Sequence, residues 1–314
     1  MTERSLEISS NQPKVSPKLI RELREKVIEI VLFLAALSSV GTTVAILSIL
    51  VYESLKFFSK ISLWEFLTDL QWSPLIADAQ EKFHYGILPL VSGTLVTTLV
   101  ALLVAVPLGT IAAIYLSEFA KPLVREIVKP ALELLAGVPT VVYGYFAFLF
   151  VTPLLQKVFP DLPGFNMLSA GLVIGIMIIP YVSSLSEDAM RAVPVHLREG
   201  SYAMGATRLQ TALRVVLPAA ISGISAAYIL GISRAVGETM VVAIAAGGQP
   251  NLTLNPMEPA QTITAYIVAV CLGDLPYGSL EYQTIFAAGL TLTLITLILN
   301  IAGHFLRKRF REIY

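Results

Sequence analysis

Hydrophobic and polar positions along this 314-residue chain fall into long blocks, not into the short alternating runs of a soluble domain. Six nearly charge-free stretches recur, each of about 20 residues or more, the length needed to cross roughly 30 Å of hydrocarbon. They cover residues 27–52, 86–116, 131–151, 168–185, 219–246 and 284–306. The pattern predicts an all-α, polytopic membrane protein with six transmembrane helices. The second and fifth stretches are long enough to tilt or project beyond the bilayer. The first exceeds a signal-peptide core of roughly 7–15 residues and lacks an Ala-x-Ala exit, so it is expected to stay in the membrane.

Composition sharpens this reading. The chain is 55% apolar and 14% charged, well under the roughly 25% charged share of soluble domains. Its 22 basic and 22 acidic residues cancel, so net charge points to no nucleic-acid partner. What matters is where the charges sit. Seventeen Lys and Arg lie in the N-terminal tail (Arg4, Lys14, Lys18, Arg21, Arg24, Lys26), the second-to-third loop (Lys121, Arg125, Lys129), the fourth-to-fifth loop (Arg191, Arg198, Arg208, Arg214) and the C-terminal tail (Arg307, Lys308, Arg309, Arg311). The opposite loops hold four: Lys56, Lys60, Lys82 and Lys157. The positive-inside rule then predicts that both termini are cytoplasmic. The layout is a tail over 1–26, a first helix and external loop over 27–85, a core over 86–306 and a tail over 307–314. Trp64, Trp72 and Tyr85 in the external loop fit either an interfacial belt or packing within the loop. The last external loop, 247–283, carries acids but no Lys or Arg, so it is no anion trap by itself. The single cysteine, Cys271, excludes an internal disulfide, and His84, His196 and His304 are too scattered for a metal site.

The segment between the fourth and fifth stretches, within 187–218, reads as two short helices joined by a glycine turn. Pro194 suits a helix start, Gly205 a left-handed stop, and Thr207 a second N-cap. Leu209, Ala212, Leu213 and Val216 then form one apolar face, and Pro218 marks the approach to the fifth span. This segment resembles the coupling loop of ATP-binding cassette importer permeases, of form E-A-A-x3-G-x9-I-x-L-P. Glu199, Gly205, Leu217 and Pro218 match it in register; Gly200 and Ser201 replace the alanines and Val215 the isoleucine. The resemblance implies a MetI-like, type I permease core whose loop seats on a separate ATPase. This chain carries no G-x-x-x-x-G-K-[ST] phosphate loop, so ATP and magnesium are expected on that partner and no cofactor in this chain. No nucleophile–base set appears within the spans, so an enzyme is not expected.

The remaining signal is charge inside the fifth stretch. Arg234 and Glu238 stand one helical turn apart in an otherwise apolar run. A charge at membrane depth costs roughly 2.5–3.5 kcal/mol or more, so a retained pair is by default a substrate or ion site. Spaced i, i+4, the two share a helix face and can pair, and a guanidinium binds an oxyanion bidentately. An arriving oxyanion competes with Glu238 for Arg234, or Glu238 accepts a bond from a protonated oxygen of that anion. The other reading is an ion pair that only locks packing. In the third stretch Gly137, Pro139, Thr140 and Gly144 are candidates for a hinge or a pathway-lining kink, or for simple packing. Pro107 and Pro180 carry the same two readings. Gly171 and Gly175 permit close helix approach, inside the subunit or toward a partner.

The motifs 137–144, 234–239 and 273–278, with the coupling loop, resemble the phosphate-specific transport permeases of PstC type over about 86–306. That resemblance implies inorganic phosphate as cargo, with Arg234 and Glu238 mattering for transport. It also implies a second permease of PstA type, an ATPase dimer of PstB type, an external phosphate-binding protein of PstS type, and membrane lipid around the core. Sulfate or molybdate carried by the same machine remains open. So does a secondary transporter driven by an ion gradient, although no paired repeat supports it.

Overall fold

A computed structural model describes residues 17–75 and 82–309. Arg4, Lys14 and Arg311 lie outside the described residues, as do the side chains of Arg307, Lys308 and Arg309. The chain divides into two units, Met1–Val51 and Tyr52–Tyr314. Helix α1 (Pro17–Phe58) supplies the whole described part of the first unit, where its apolar side chains are exposed from Val27 to Leu47.

The second unit begins with the end of α1 and continues through α2 (Leu63–Thr68) and a two-stranded hairpin of β1 (Trp72–Ser73) and β2 (His84–Tyr85). Rings of Phe57, Phe66, Trp72, Tyr85 and Tyr266 pack edge to face here. Trp72 and Tyr85 are therefore core residues of this segment, whereas Trp64 is exposed. Next comes α3 (Leu88–Ile114), which widens into a π-helical turn at Tyr115–Phe119. Then follow α4 (Pro122–Ala136), α5 (Thr140–Phe146), a π turn at Ala147–Val151, α6 (Thr152–Gln156) and α7 (Met167–Arg191). The coupling segment gives α8 (Val195–Ala203), α9 (Arg208–Thr211), a π turn at Ala212–Val216 and α10 (Leu217–Ala219). The chain closes with α11 (Ile221–Val236), α12 (Met240–Ala245), α13 (Ile263–Cys271) and α14 (Leu280–Arg309).

Among the described residues, four helices are long and apolar enough to cross a membrane, and two bent pairs bring the number to six. The first pair realises the kink expected at Gly137 and Pro139, whereas the second corrects the expectation of an unbroken fifth span. Over 131–151 the helix stops at Gly137. Pro139 lacks an N–H and drives the residue before it away from helical angles, so α4 and the α5–α6 segment meet at 86°. The spanning piece is therefore 140–156, about 25 Å long at 1.5 Å per residue. Over 219–246 the chain bends by 73° at Ala220, and α11 ends at Val236. The stretch 247–283 is also more than a loop, because it contains α13, whose Ile263, Ala265, Tyr266 and Val270 are buried. Helices α3 and α7, by contrast, run through Pro107 and Pro180 unbroken.

Close packing of α3 on α7 forms the centre of the core. Gly171 and Gly175 act inside the subunit: a methyl group at Gly171 would stand 2.7 Å from the Val100 side chain, and one at Gly175 2.8 Å from the Ala101 carbonyl. Removing side chains here lets the two backbones approach and gain dispersion contact, the main source of helix association in lipid. Gly175→Leu is expected to cost about 1–3 kcal/mol through overpacking. It should lower the unfolding midpoint of the detergent-solubilised protein by several degrees. Gly41→Leu, at a position with nothing within 4 Å, should not lower it.

Candidate functional site

The coupling segment folds as its local chemistry dictates. Pro194 precedes α8 as its N-cap, not as its first helical residue. Gly205 adopts φ +81°, a left-handed angle that costs an L-residue with a side chain roughly 1–2 kcal/mol. Thr207 then caps α9 in a reciprocal box with Gln210: Gln210 N–H donates to Thr207 Oγ1 and Thr207 N–H donates to Gln210 Oε1. One expectation fails. Ala212 and Val216 are buried, but Leu209 and Leu213 are exposed. The π turn at Ala212–Val216 adds a residue to the helical turn, so the buried face shifts to Thr211, Ala212, Val216 and Ala220. Leu217 packs against this cluster. Pro218 stands two residues before the bend at Ala220, where the segment turns into α11. Glu199 and Gly205 are exposed, as are Val195, Tyr202 and, at 88%, Met204. The result is an exposed, partly apolar ledge.

Two carboxylates that the sequence reading did not single out fasten this end of the bundle. Glu187, near the end of α7, is 0% exposed. It receives Arg125 Nε and Lys129 Nζ of α4, both at 2.8 Å, with Arg191 at 3.7 Å. Glu118, in the π turn after α3, receives Arg198 Nη2 of α8 at 3.0 Å. Leaving a buried carboxylate without a cation costs several kcal/mol, so these pairs fix where α4 and α8 attach. A sequence signal existed: Arg125 and Lys129 stand four apart on one face of α4. Their acceptor, about 60 residues on, is visible only in three dimensions.

Arg234 and Glu238 do not form the expected pair. Arg234 lies in the last turn of α11, while Glu238 lies beyond its end, in the break before α12. The i, i+4 geometry needs a continuous helix, and this one stops. Glu238 is buried, and its Oε1 accepts the N–H groups of Met240 at 3.1 Å and Val241 at 3.4 Å. Its carbonyl accepts the Thr264 hydroxyl from α13 at 2.6 Å. Arg234 is exposed, with its guanidinium carbon 5.2 Å from the centre of the Tyr181 ring of α7. It has no carboxylate partner among the described residues.

The kink candidates separate. Gly137 and Pro139 form the 86° elbow and are exposed, and Thr140 opens α5, half-buried. Gly144 is not at the elbow. It faces α12, where a methyl group would stand 2.8 Å from Ile244 Cδ1 and 3.1 Å from the Met240 carbonyl. The elbow helix thus packs on the helix that Glu238 caps. The third motif, 273–278, forms the turn between α13 and α14, with Tyr277 exposed and its ring centre 5.2 Å from that of Tyr282, the planes tilted by 52°.

A helical core with four long apolar helices, two bent spans and an exposed helix–turn–helix between two of them is the architecture of a multi-pass membrane protein. Residues 105–312 match the binding-protein-dependent transport system inner membrane component family, and the chain belongs to that family. It is 34% identical over 304 residues to the probable ABC transporter permease protein YqgH of Bacillus subtilis, covering 96% of this chain and 97% of that protein. It is 35% identical over 268 residues to the phosphate transport system permease protein PstC of Mesorhizobium japonicum, covering 78% and 79%. A chain of a bacterial alginate ABC transporter, solved in complex with alginate pentasaccharide-bound periplasmic protein, shares the fold. Its TM-score is 0.64 at 17% identity, over 93% of this chain and 98% of that chain. The protein is therefore a multi-pass membrane permease with the importer core fold.

The glycine turn is testable in isolation from transport. Gly205→Ala should destabilise it by about 1–2 kcal/mol and speed amide hydrogen exchange across 195–211 by roughly tenfold. Gly200→Ala, inside α8 with open space around it, should slow exchange or leave it unchanged.

Proposed function

We propose that this protein is a permease subunit of an ATP-driven importer that moves inorganic phosphate into the cytoplasm of a bacterial cell. The observation that carries the cargo assignment is Arg234, an intramembrane guanidinium with no carboxylate partner among the described residues. A cation kept at that depth is costly. An oxyanion that binds it bidentately offsets the cost, while the Tyr181 ring face contributes only a weak attraction. The PstC relative named above, a phosphate permease by its own description, supports the same cargo. In this reading Glu238 has two tasks. It caps α12 through Oε1, and its second oxygen accepts a hydrogen bond from protonated phosphate. Sulfate carries no such proton and meets carboxylate repulsion instead.

The ledge formed by α8 and α9 seats an ATPase dimer of PstB type, which binds ATP and magnesium. The core pairs with a homologous permease of PstA type and receives phosphate from an external binding protein of PstS type. Both termini lie in the cytoplasm of an inner membrane, following the excess of Lys and Arg on that side. The experiment is uptake of labelled phosphate at matched protein levels. Arg234→Gln should reduce uptake at least tenfold, equal to about 1.4 kcal/mol, and Arg234→Lys should fall between Gln and the native residue because it loses the fork. Glu238→Gln keeps an amide oxygen to cap α12. It should lower phosphate uptake and let sulfate compete more effectively. Undiminished phosphate uptake in Arg234→Gln would remove the anion-site assignment.

A further inference from the structure

We infer that Arg198 is the positioning residue that ties the coupling helix to the transmembrane core, acting through Glu118; this rests on the importer reading above. The two neighbours Arg198 and Glu199 point to opposite tasks. Glu199 is exposed on the ledge. Arg198 turns inward, its side chain 15% exposed against 5% for Glu118.

Its guanidinium reaches three pieces of chain at once. Nη2 donates to Glu118 Oε1 at 3.0 Å and to the Met190 carbonyl at 2.7 Å. Nη1 donates to the Val193 carbonyl at 2.7 Å, and Nε lies 3.3 Å from both Glu118 oxygens. Met190 belongs to the last turn of α7, where its carbonyl also accepts the Val193 N–H at 3.2 Å; the guanidinium adds a second donor there. Glu118 continues α3 and is further held by the Ser117 hydroxyl at 2.9 Å. One planar fork on α8 thus caps α7 and pairs with α3, the two helices whose glycine-lined contact forms the centre of the core. One turn further along α8, Ser201 bonds Thr211 of α9 at 2.9 Å, so α8 is tethered to the chain that leads into α11.

The geometry has a mechanical consequence. A helix attached only by its connecting loops swings when pushed, and the push dissipates in the loops. A helix pinned by a largely desolvated, multiply bonded ion pair carries α3 and α7 with it. Lysine would keep the charge but lacks the fork needed to engage a carboxylate and two carbonyls together.

The test uses the full transporter, with this chain, its companion permease, the ATPase and the phosphate-binding protein in vesicles. It measures phosphate moved per ATP hydrolysed. Arg198→Gln and the near-isosteric Glu118→Gln should each keep ATPase recovery within about twofold of the native complex while phosphate moved per ATP falls at least fivefold. Arg198→Lys should recover part of the loss. If Arg198→Gln fails to assemble, Glu118→Gln decides. An unchanged phosphate-to-ATP ratio in the assembled variants overturns the inference while leaving the importer reading intact. Loss of ATPase recovery in parallel with transport in Glu118→Gln also overturns it, since the pair would then serve only assembly. A native complex that retains no ATPase sinks the importer reading and the inference together.

Discussion

Inside hydrocarbon no water is present to take a backbone N–H or carbonyl, so a helix can stop only where another protein group receives its loose ends. Much of this fold follows from where it meets that demand. At the 137–139 elbow the Tyr143 hydroxyl donates to the Leu135 carbonyl at 2.7 Å, and Val142 N–H donates to the Pro139 carbonyl at 3.0 Å. At the 237–239 break the Glu238 carboxylate accepts from the start of α12, and Thr264 reaches the Glu238 carbonyl from α13. At the end of α7 the Arg198 guanidinium takes two carbonyls. Each interruption is therefore a built feature: the elbow is held by groups within eight residues, the 237–239 break by Thr264 from α13.

The same accounting explains the charges. Of the acids in the core, Glu187 and Glu118 are buried against cations. Such pairs are worth little in net stability, because desolvation consumes most of their attraction, but breaking one leaves a stranded charge. Their value lies in specifying attachment. Glu187 fixes α4 on α7, and Glu118 fixes α8 below α3. Glu238 differs: its buried partners are N–H groups at the start of a short helix, which favour negative charge by dipole and hydrogen bond alike. That use of Glu238 frees Arg234 from a local counter-charge.

Taken together, these attachments place the two ends of the proposed machine within one connected body. The ledge is bonded to α3 and α7, α4 is bonded to α7, the elbow links α4 to α5, and α5 packs through Gly144 onto α12 beside the Glu238 break. Arg234 stands at the other edge of that break, over Tyr181 of α7. The ledge and the helix that bears the guanidinium are thus joined by side-chain bonds and packed contacts as well as by their connecting chain.

The coupling segment was legible in the amino-acid order because its determinants are local. A glycine that must adopt positive φ, a Thr–Gln capping box and a Leu-Pro before a bend act over a few residues and need no distant partner. The six apolar blocks were legible for a similar reason, since hydrocarbon thickness sets their length. The break of the third span was legible in Gly137 and Pro139, but the break of the fifth at 237–239 was not, and with it went the assumed Arg234–Glu238 pair. Hydrophobicity reports that a stretch belongs in lipid, but it does not report whether its helix is continuous. At 237–239 the Glu238 carbonyl is taken by Thr264, 26 residues on, and the acceptors for Arg125, Lys129 and Arg198 lie about 60–80 residues away. Sequence determined what each segment must avoid exposing, whereas only the folded chain determined which distant group would meet it.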